Sequence, residues 1–224
     1  MIGTLLASAT IGSLLWLDRV FMFQVLVSRP IVMAPLLGLI MGNIHIGLLV
    51  GASLELLWLN APPVGAYLPS DDSYCAAVSV PVAVYSAAYV NDLSAAGFAL
   101  VLCLPFSLLG RTVDTHIRSL NETLLPQDLS NMESLIGKAM LTALIRAYTY
   151  ALLSMVGSVC LGIAIVWAAK DILPAPVFTA CSFMPFASIV IGIAGLLAKD
   201  IPSGRQTGLF VLGMSVVVIV TWIL

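Results

Sequence analysis

Acidic and amide side chains punctuate the apolar first third of the chain. Glu55 ends the uncharged run 30–54, and Asn60, Asp71 and Asp72 follow it among prolines and glycines. An ionisable group inside a spanning segment costs about 2.5–3.5 kcal/mol on insertion scales, so such a residue usually faces a cavity or a partner. These positions are therefore candidates for binding a ligand.

The chemistry available to these groups suits a sugar. Carboxylates accept hydrogen bonds and amides both donate and accept, which matches hydroxyl groups that do both. Gln24 adds a second amide upstream, and Trp58 offers an aromatic face for a pyranose ring. The alternative interpretation is that Glu55 caps a helix end while Asp71 and Asp72 lie in a hydrated loop.

The helices that must position these side chains are predicted to lie in a membrane. The chain of 224 residues is 61% hydrophobic and 9% charged, against about 25% charged residues in soluble domains. Long uncharged runs recur along it, including 73–91, 147–169 and 172–198. Since about 20 apolar residues cross a bilayer as a helix, we expect an all-α polytopic membrane protein with about six to seven spanning or partly spanning helices.

The pattern along the chain predicts one membrane domain, 1–224, in three parts. Residues 1–110 form the substrate-site half with broken helices, since unwound backbone at membrane depth is tolerated where it lines a cavity. Residues 111–146 mix charges with apolar residues at helical spacing, which indicates an amphipathic connector, assigned to the cytoplasm by its positive charges. Residues 147–224 form the C-terminal helices.

Several kinds of chemistry find no support in the sequence. There is no catalytic nucleophile–base pair, no phosphate-binding glycine loop and no metal-ligand cluster, so we expect no catalytic residues, metal or cofactor. The four cysteines lie singly in apolar sequence and are interpreted as packing residues. A net charge of −2 does not favour a nucleic-acid partner. Arg19 and Arg29 are interpreted as partners of Asp18 or of lipid phosphate.

Residues 17–72 resemble the N-terminal half of the membrane IIC subunits of the bacterial phosphotransferase system, mannose/fructose/sorbose family. The ordered features are an acidic residue, a Phe-Gln pair, a basic-Pro step, a Gly-Asn turn, a Gly-x-x-Leu-Glu-Leu motif, a Val-Gly-Ala motif and a final acidic residue. They fall at Asp18, Phe23–Gln24, Arg29–Pro30, Gly42–Asn43, Gly51–Leu56, Val64–Ala66 and Asp71.

The resemblance implies a sugar-translocating subunit that is not an enzyme by itself. It would bind a hexose in the bilayer with a IID partner, as a trimer of IIC–IID pairs in the bacterial cytoplasmic (inner) membrane. The IIB protein, itself charged by IIA, would phosphorylate the sugar. Carried over by position, the sugar contacts are Gln24, Glu55 and Asp71, with Asn60 and Asp72 as further candidates.

A second function remains open on these residues. An ion-gradient-coupled secondary sugar transporter would use Glu55 with Asp71 or Asp72 as its coupling site. Composition and broken helices fit both functions, and the ordered motifs favour the phosphotransferase subunit.

Overall fold

The described part of the chain consists of helices and the loops that connect them, without strands. The computed structural model describes residues 2–59, 68–124 and 132–198, together with positions 204, 205, 208 and 212. Within these residues the helices are α1 (Ile2–Leu17), α2 (Pro30–Ile40), α3 (Ile44–Trp58), α4 (Asp72–Ser86), α5 (Asp92–Cys103), α6 (Phe106–Glu122), α7 (Met132–Ile172), α8 (Ala175–Cys181) and α9 (Met184–Ala198).

Polar side chains start three of these helices. Asn43, Asp71 and Asn91 each accept a hydrogen bond from a backbone N–H in the first turn of α3, α4 and α5, respectively. Such caps satisfy N–H groups that have no partner within the helix. Gly42, at φ +82°, lies in the turn between α2 and α3, which is the Gly-Asn turn expected from the sequence.

Glycines allow α2 and α3 to pack as a close antiparallel hairpin. A Cβ at Gly47 would lie 2.5 Å from the carbonyl oxygen of Ala34, and one at Gly51 would lie 2.6 Å from that of Pro30. Both positions therefore require the absence of a side chain. This hairpin fixes the end of α3, where Glu55 lies, against the start of α2.

Helix α4 is the centre of the molecule. Every residue from Asp72 to Ala83 is buried, and α4 contacts α1, α2, α3, α5, α6 and α7. Its buried side chains include Tyr74, Val78 and Val82. Because α4 is enclosed on all sides, the acidic residues at its N-terminus are held in a fixed position inside the bundle.

The helices have the lengths and composition of a membrane protein. Residues 136–172 and 175–196 are each long and apolar enough to cross a bilayer. Helices α5 and α6 form a third candidate, a span bent by 48° at its break, and α1, α2 and α3 are shorter apolar helices. The predicted all-α polytopic membrane fold with a broken segment is confirmed.

The middle of the chain differs from the predicted boundaries. Helix α6 continues the bent segment from α5, and α7 runs without a break across position 146. The charged residues Lys138 and Arg146 therefore lie in the N-terminal half of one continuous helix that is long and apolar enough to span a bilayer. The helical spacing of apolar residues before position 146 therefore belongs to α7 and not to a separate connecting helix. Helix α6 is the amphipathic element, with Gly110, Asp114 and Ile117 buried along one face.

Candidate functional site

Three segments meet at the N-terminus of α4. They are the loop between α1 and α2, the C-terminal end of α3, and the residues that lead into α4. Each brings charged side chains to a region that is otherwise apolar. Their meeting point is a cleft of about 380 Å³, whose polar lining includes Arg19, Gln24, Arg29, Asp72 and Ser73.

Arg19 links the two aspartates at the start of α4. Its Nη1 lies 3.0 Å from Oδ1 of Asp71, and it also contacts Oδ1 of Asp72 and lies 3.3 Å from Oγ of Ser73. Both carboxylates are buried, with Asp71 2% and Asp72 6% exposed. Arg19 therefore compensates part of the negative charge that these two buried carboxylates carry.

Asp71 has further partners on the side away from the cleft. The indole N–H of Trp16 donates to its Oδ2 at 2.7 Å, and the backbone N–H of Tyr74 donates to its Oδ1 at 2.9 Å. Asp71 does not line the cleft, whereas Asp72 does. Asp71 is thus held in place by α1 and by its own helix, and Asp72 presents its carboxylate to the cleft.

Arg29 joins Glu55 to the same cluster. Its Nη1 lies 3.4 Å from Oε1 of Glu55 and 3.8 Å from Oδ2 of Asp72. The backbone N–H of Ile31 donates to Oε2 of Glu55 at 3.3 Å. The Arg29 side chain is 45% exposed, so it is more accessible than Arg19. Two guanidinium groups and three carboxylates thus form one continuous ionic network.

Asp18 organises the loop between α1 and α2. Its carboxylate accepts hydrogen bonds from the backbone N–H groups of Val25 at 2.8 Å and Ser28 at 3.2 Å. Burial raises the pKa of Asp18, but these N–H groups outweigh that effect and hold the pKa below its usual range. Phe23, Gln24 and Leu26 have positive φ angles of 47°, 55° and 69°. This conformation is uncommon for residues with a Cβ and is maintained here by the Asp18 carboxylate.

Gln24 and Trp58 lie on the wall of the cleft. Gln24 is exposed, and its Nε2 donates to the carbonyl oxygen of Val20 at 3.1 Å. The indole N–H of Trp58 donates to Oγ of Ser70 at 3.0 Å. The indole is therefore oriented by a residue just before α4.

The structure brings together most of the residues selected from the sequence. Gln24 and Asp72 line the cleft, Glu55 adjoins it through Arg29, and Asp71 lies behind Asp72. Asn60 lies outside the described residues.

Sequence reasoning did not place the two arginines in the site, and the interpretation of them as partners of Asp18 was wrong. Arg19 pairs with Asp71 and Asp72, and Arg29 pairs with Glu55 and Asp72. One signal for this was present in the sequence. Isolated charges in a membrane segment usually pair with one another, and these two are the only Lys or Arg residues before residue 72.

Comparisons with known proteins agree with this architecture. A curated relative from Escherichia coli (strain K12), "Putative N-acetylgalactosamine permease IIC component 2", is 39% identical over 70 residues, which are 30% of this chain and 53% of that protein. The chain thus matches about half the length of that relative.

Two solved structures share the fold. One, titled "Structure of membrane protein", has a TM-score of 0.66 at 19% identity. The other, a complex of the mannose transporter ManYZ with microcin E492, has a TM-score of 0.57 at 17% identity. In both cases the similarity covers 97% of this chain and 85% of the solved chain.

The match to a family model is the most extensive. The model of the sorbose-specific IIC component of the phosphotransferase system aligns with residues 2–223. The resemblance that residues 17–72 carry therefore extends over almost the whole sequence. The chain belongs to the family of sorbose-specific IIC components of the phosphotransferase system.

Proposed function

We propose that this chain is the sugar-translocating IIC subunit of a mannose-family phosphotransferase system and binds a hexose in the cleft at the start of α4. It acts with a IID membrane subunit, in a trimer of such pairs in the bacterial cytoplasmic membrane. The IIB protein, charged by IIA, phosphorylates the delivered sugar. The observation that carries the proposal is the network of carboxylates and guanidinium groups beside the cleft.

The cleft offers the donors and acceptors that a polyhydroxylated ligand needs. Asp72 supplies carboxylate oxygens, Arg19 and Arg29 supply N–H donors, and Gln24 supplies both kinds of group. Hydrogen bonds to charged groups contribute about 1.5–3 kcal/mol each, so a few of them give useful affinity for a neutral ligand. Trp58 adds an apolar surface on the cleft wall for the face of a sugar ring.

The pairing of charges favours a neutral sugar over a coupling cation. Each of Glu55, Asp71 and Asp72 has an arginine within 4 Å. A cation would have to displace a guanidinium group that already compensates these carboxylates. An ion-gradient-coupled transporter that uses Glu55 with Asp71 or Asp72 is therefore the less favoured function.

The arrangement also suggests different roles for the two aspartates. We propose that Asp72 contacts the sugar, because it lines the cleft. Asp71, which accepts from Trp16 and from the backbone of Tyr74, positions Arg19 and the first turn of α4. The acidic contact carried over from the family pattern to Asp71 would then lie one residue further along the chain.

Uptake in cells tests the proposal against its alternative. Cells would express this chain with the neighbouring IID-like, IIB and IIA genes, or without IIB, and would be offered a panel of radiolabelled hexoses. The proposal predicts sugar phosphate that accumulates only with IIB. Free sugar that accumulates without IIB and is lost when a protonophore is added would instead identify a gradient-driven carrier.

A further inference from the structure

A long apolar groove lies between α1 and α7, on a different part of the molecule from the charged cleft. Its volume is about 500 Å³, and its lining is almost entirely apolar, including Leu5, Ala9, Val156, Ile163 and Trp167. Because α7 is long and apolar enough to span a membrane, we expect this groove to face lipid. No polar ligand would be retained by these side chains alone.

The groove adjoins a second, polar cavity near the C-terminal end of α7. This cavity has a volume of about 340 Å³ and is lined in part by Tyr89, Asn91, Ser94 and Lys170. These groups carry hydroxyl, amide and ammonium donors. Lys170 is the cation among the residues that line it.

Direct contacts connect the two cavities. The hydroxyl of Tyr85, which lines the groove, lies 3.3 Å from the hydroxyl of Tyr89, which lines the polar cavity. Nζ of Lys170 lies 5.9 Å from the ring centre of Trp167 and 5.5 Å from that of Tyr89. The ammonium group therefore stands at the point where the apolar groove meets the polar cavity.

The length of the groove corresponds to one leaflet of a bilayer. Its lining on α7 extends from Val156 to Trp167, a rise of about 16 Å at 1.5 Å per residue. Half of a hydrocarbon core of about 30 Å is about 15 Å. Lysine and the aromatic residues Trp and Tyr are typical of the membrane–water interface, which places the polar cavity at the depth of lipid headgroups.

We propose that the groove and the polar cavity together bind one membrane glycerophospholipid. Its phosphate accepts hydrogen bonds from Lys170 and from the hydroxyl and amide groups beside it, and one acyl chain lies in the groove between α1 and α7. The polar cavity with its charged Lys170 is followed by an apolar groove as long as one leaflet, which is the arrangement that an amphiphile needs. A helix of another protein could fill the groove with apolar side chains, but those side chains would not supply an anion for Lys170.

The existing partner of Lys170 does not prevent this binding. Asp171 lies 3.2 Å from its Nζ, but the Asp171 side chain is 69% exposed. Exposed ion pairs contribute about 0–1 kcal/mol, so a phosphate can take the place of this carboxylate. Asp171 can then turn to solvent at the membrane surface.

Lipid retention by the purified protein tests the site. The full chain, purified with its membrane partners and stripped of lipid by detergent, would be titrated with phosphatidylglycerol and analysed by native mass spectrometry. We expect one tightly retained lipid per chain. Lys170→Gln should weaken its binding about tenfold, as expected for one charge-assisted hydrogen bond, and Lys170→Arg should restore it. The matched control is Lys138→Gln on the opposite end of α7.

A second pair of variants tests the acyl-chain part. Cys160 lines the groove, so Cys160→Trp should fill it and abolish retention, whereas Leu161→Trp on the neighbouring, exposed position should leave retention unchanged. Equal lipid retention by the wild type, Lys170→Gln and Cys160→Trp would overturn the proposal. A crosslink from Cys160 to a second protein chain would overturn it as well, because the groove would then be a protein interface.

Discussion

Replacing Arg19 by glutamine should destabilise the protein more than any other single change at the site. Asp71 and Asp72 are both buried, and Arg19 is the only side-chain cation within 3.5 Å of either in the described part of the chain. Breaking a buried ion pair by removing one partner typically costs about 3–5 kcal/mol. Asp71 keeps its bonds from Trp16 and Tyr74, and Arg19 itself is 20% exposed, so we expect about 3 kcal/mol.

The free energy of unfolding of the purified assembly in mixed micelles measures this loss. Arg111→Gln is the matched control, because Arg111 is exposed on α6, and it should change stability by less than about 0.5 kcal/mol. The double variant Arg19→Gln/Asp72→Asn should regain part of the loss, because Asp72, which Arg19→Gln leaves with only the more distant Arg29, is then neutral. A cost below about 1 kcal/mol for Arg19→Gln would refute the reasoning that Arg19 compensates buried charge.

Three further predictions concern the cleft and its support. Glu55→Gln should abolish sugar binding in a radioligand assay. The complex should remain assembled, because the partly exposed ion pair between Glu55 and Arg29 adds at most about 1 kcal/mol to stability. Loss of assembly would favour a structural role for Glu55. Asp72→Asn should mainly lower the affinity for sugar, whereas Asp71→Asn should mainly lower thermal stability. Sugar titration and thermal unfolding of the same samples would measure both effects. The opposite result for the two variants would assign the sugar contact to Asp71. Gly47→Ala should lower the free energy of unfolding by about 1–3 kcal/mol, because the new Cβ would overlap the backbone of α2. The control Gly157→Ala, which has open space around it, should be neutral or slightly stabilising. Equal effects of the two substitutions would contradict the close packing of α2 and α3.

Local features of the sequence predicted much of the fold. Uncharged runs indicated membrane helices, and the glycine and asparagine at positions 42 and 43 indicated the turn that the structure places there. The boundary near position 146 did not appear, because charges at helical spacing can belong either to a separate amphipathic helix or to the end of a long one. The structure distinguishes these two arrangements, because α7 continues through position 146.

The candidate site was predictable in its acidic half. Carboxylates in apolar sequence stand out from a single chain, and Glu55 and Asp72 were selected on that basis. Their pairing with Arg19 and Arg29 depends on the three-dimensional path of the loop between α1 and α2, where Asp18 holds residues at positive φ. No spacing rule predicts such a loop, so which cation meets which carboxylate could not be read from the sequence.

Sugar binding to the purified assembly tests the central claim most directly. Radiolabelled hexoses would be titrated against the wild type, against Asp72→Asn in the cleft, and against Asp171→Asn, an exposed aspartate outside it. The account predicts saturable binding of one hexose that is lost in Asp72→Asn and unchanged in Asp171→Asn. Saturable binding that survives Asp72→Asn and Glu55→Gln alike would contradict it, because the sugar would then be bound elsewhere.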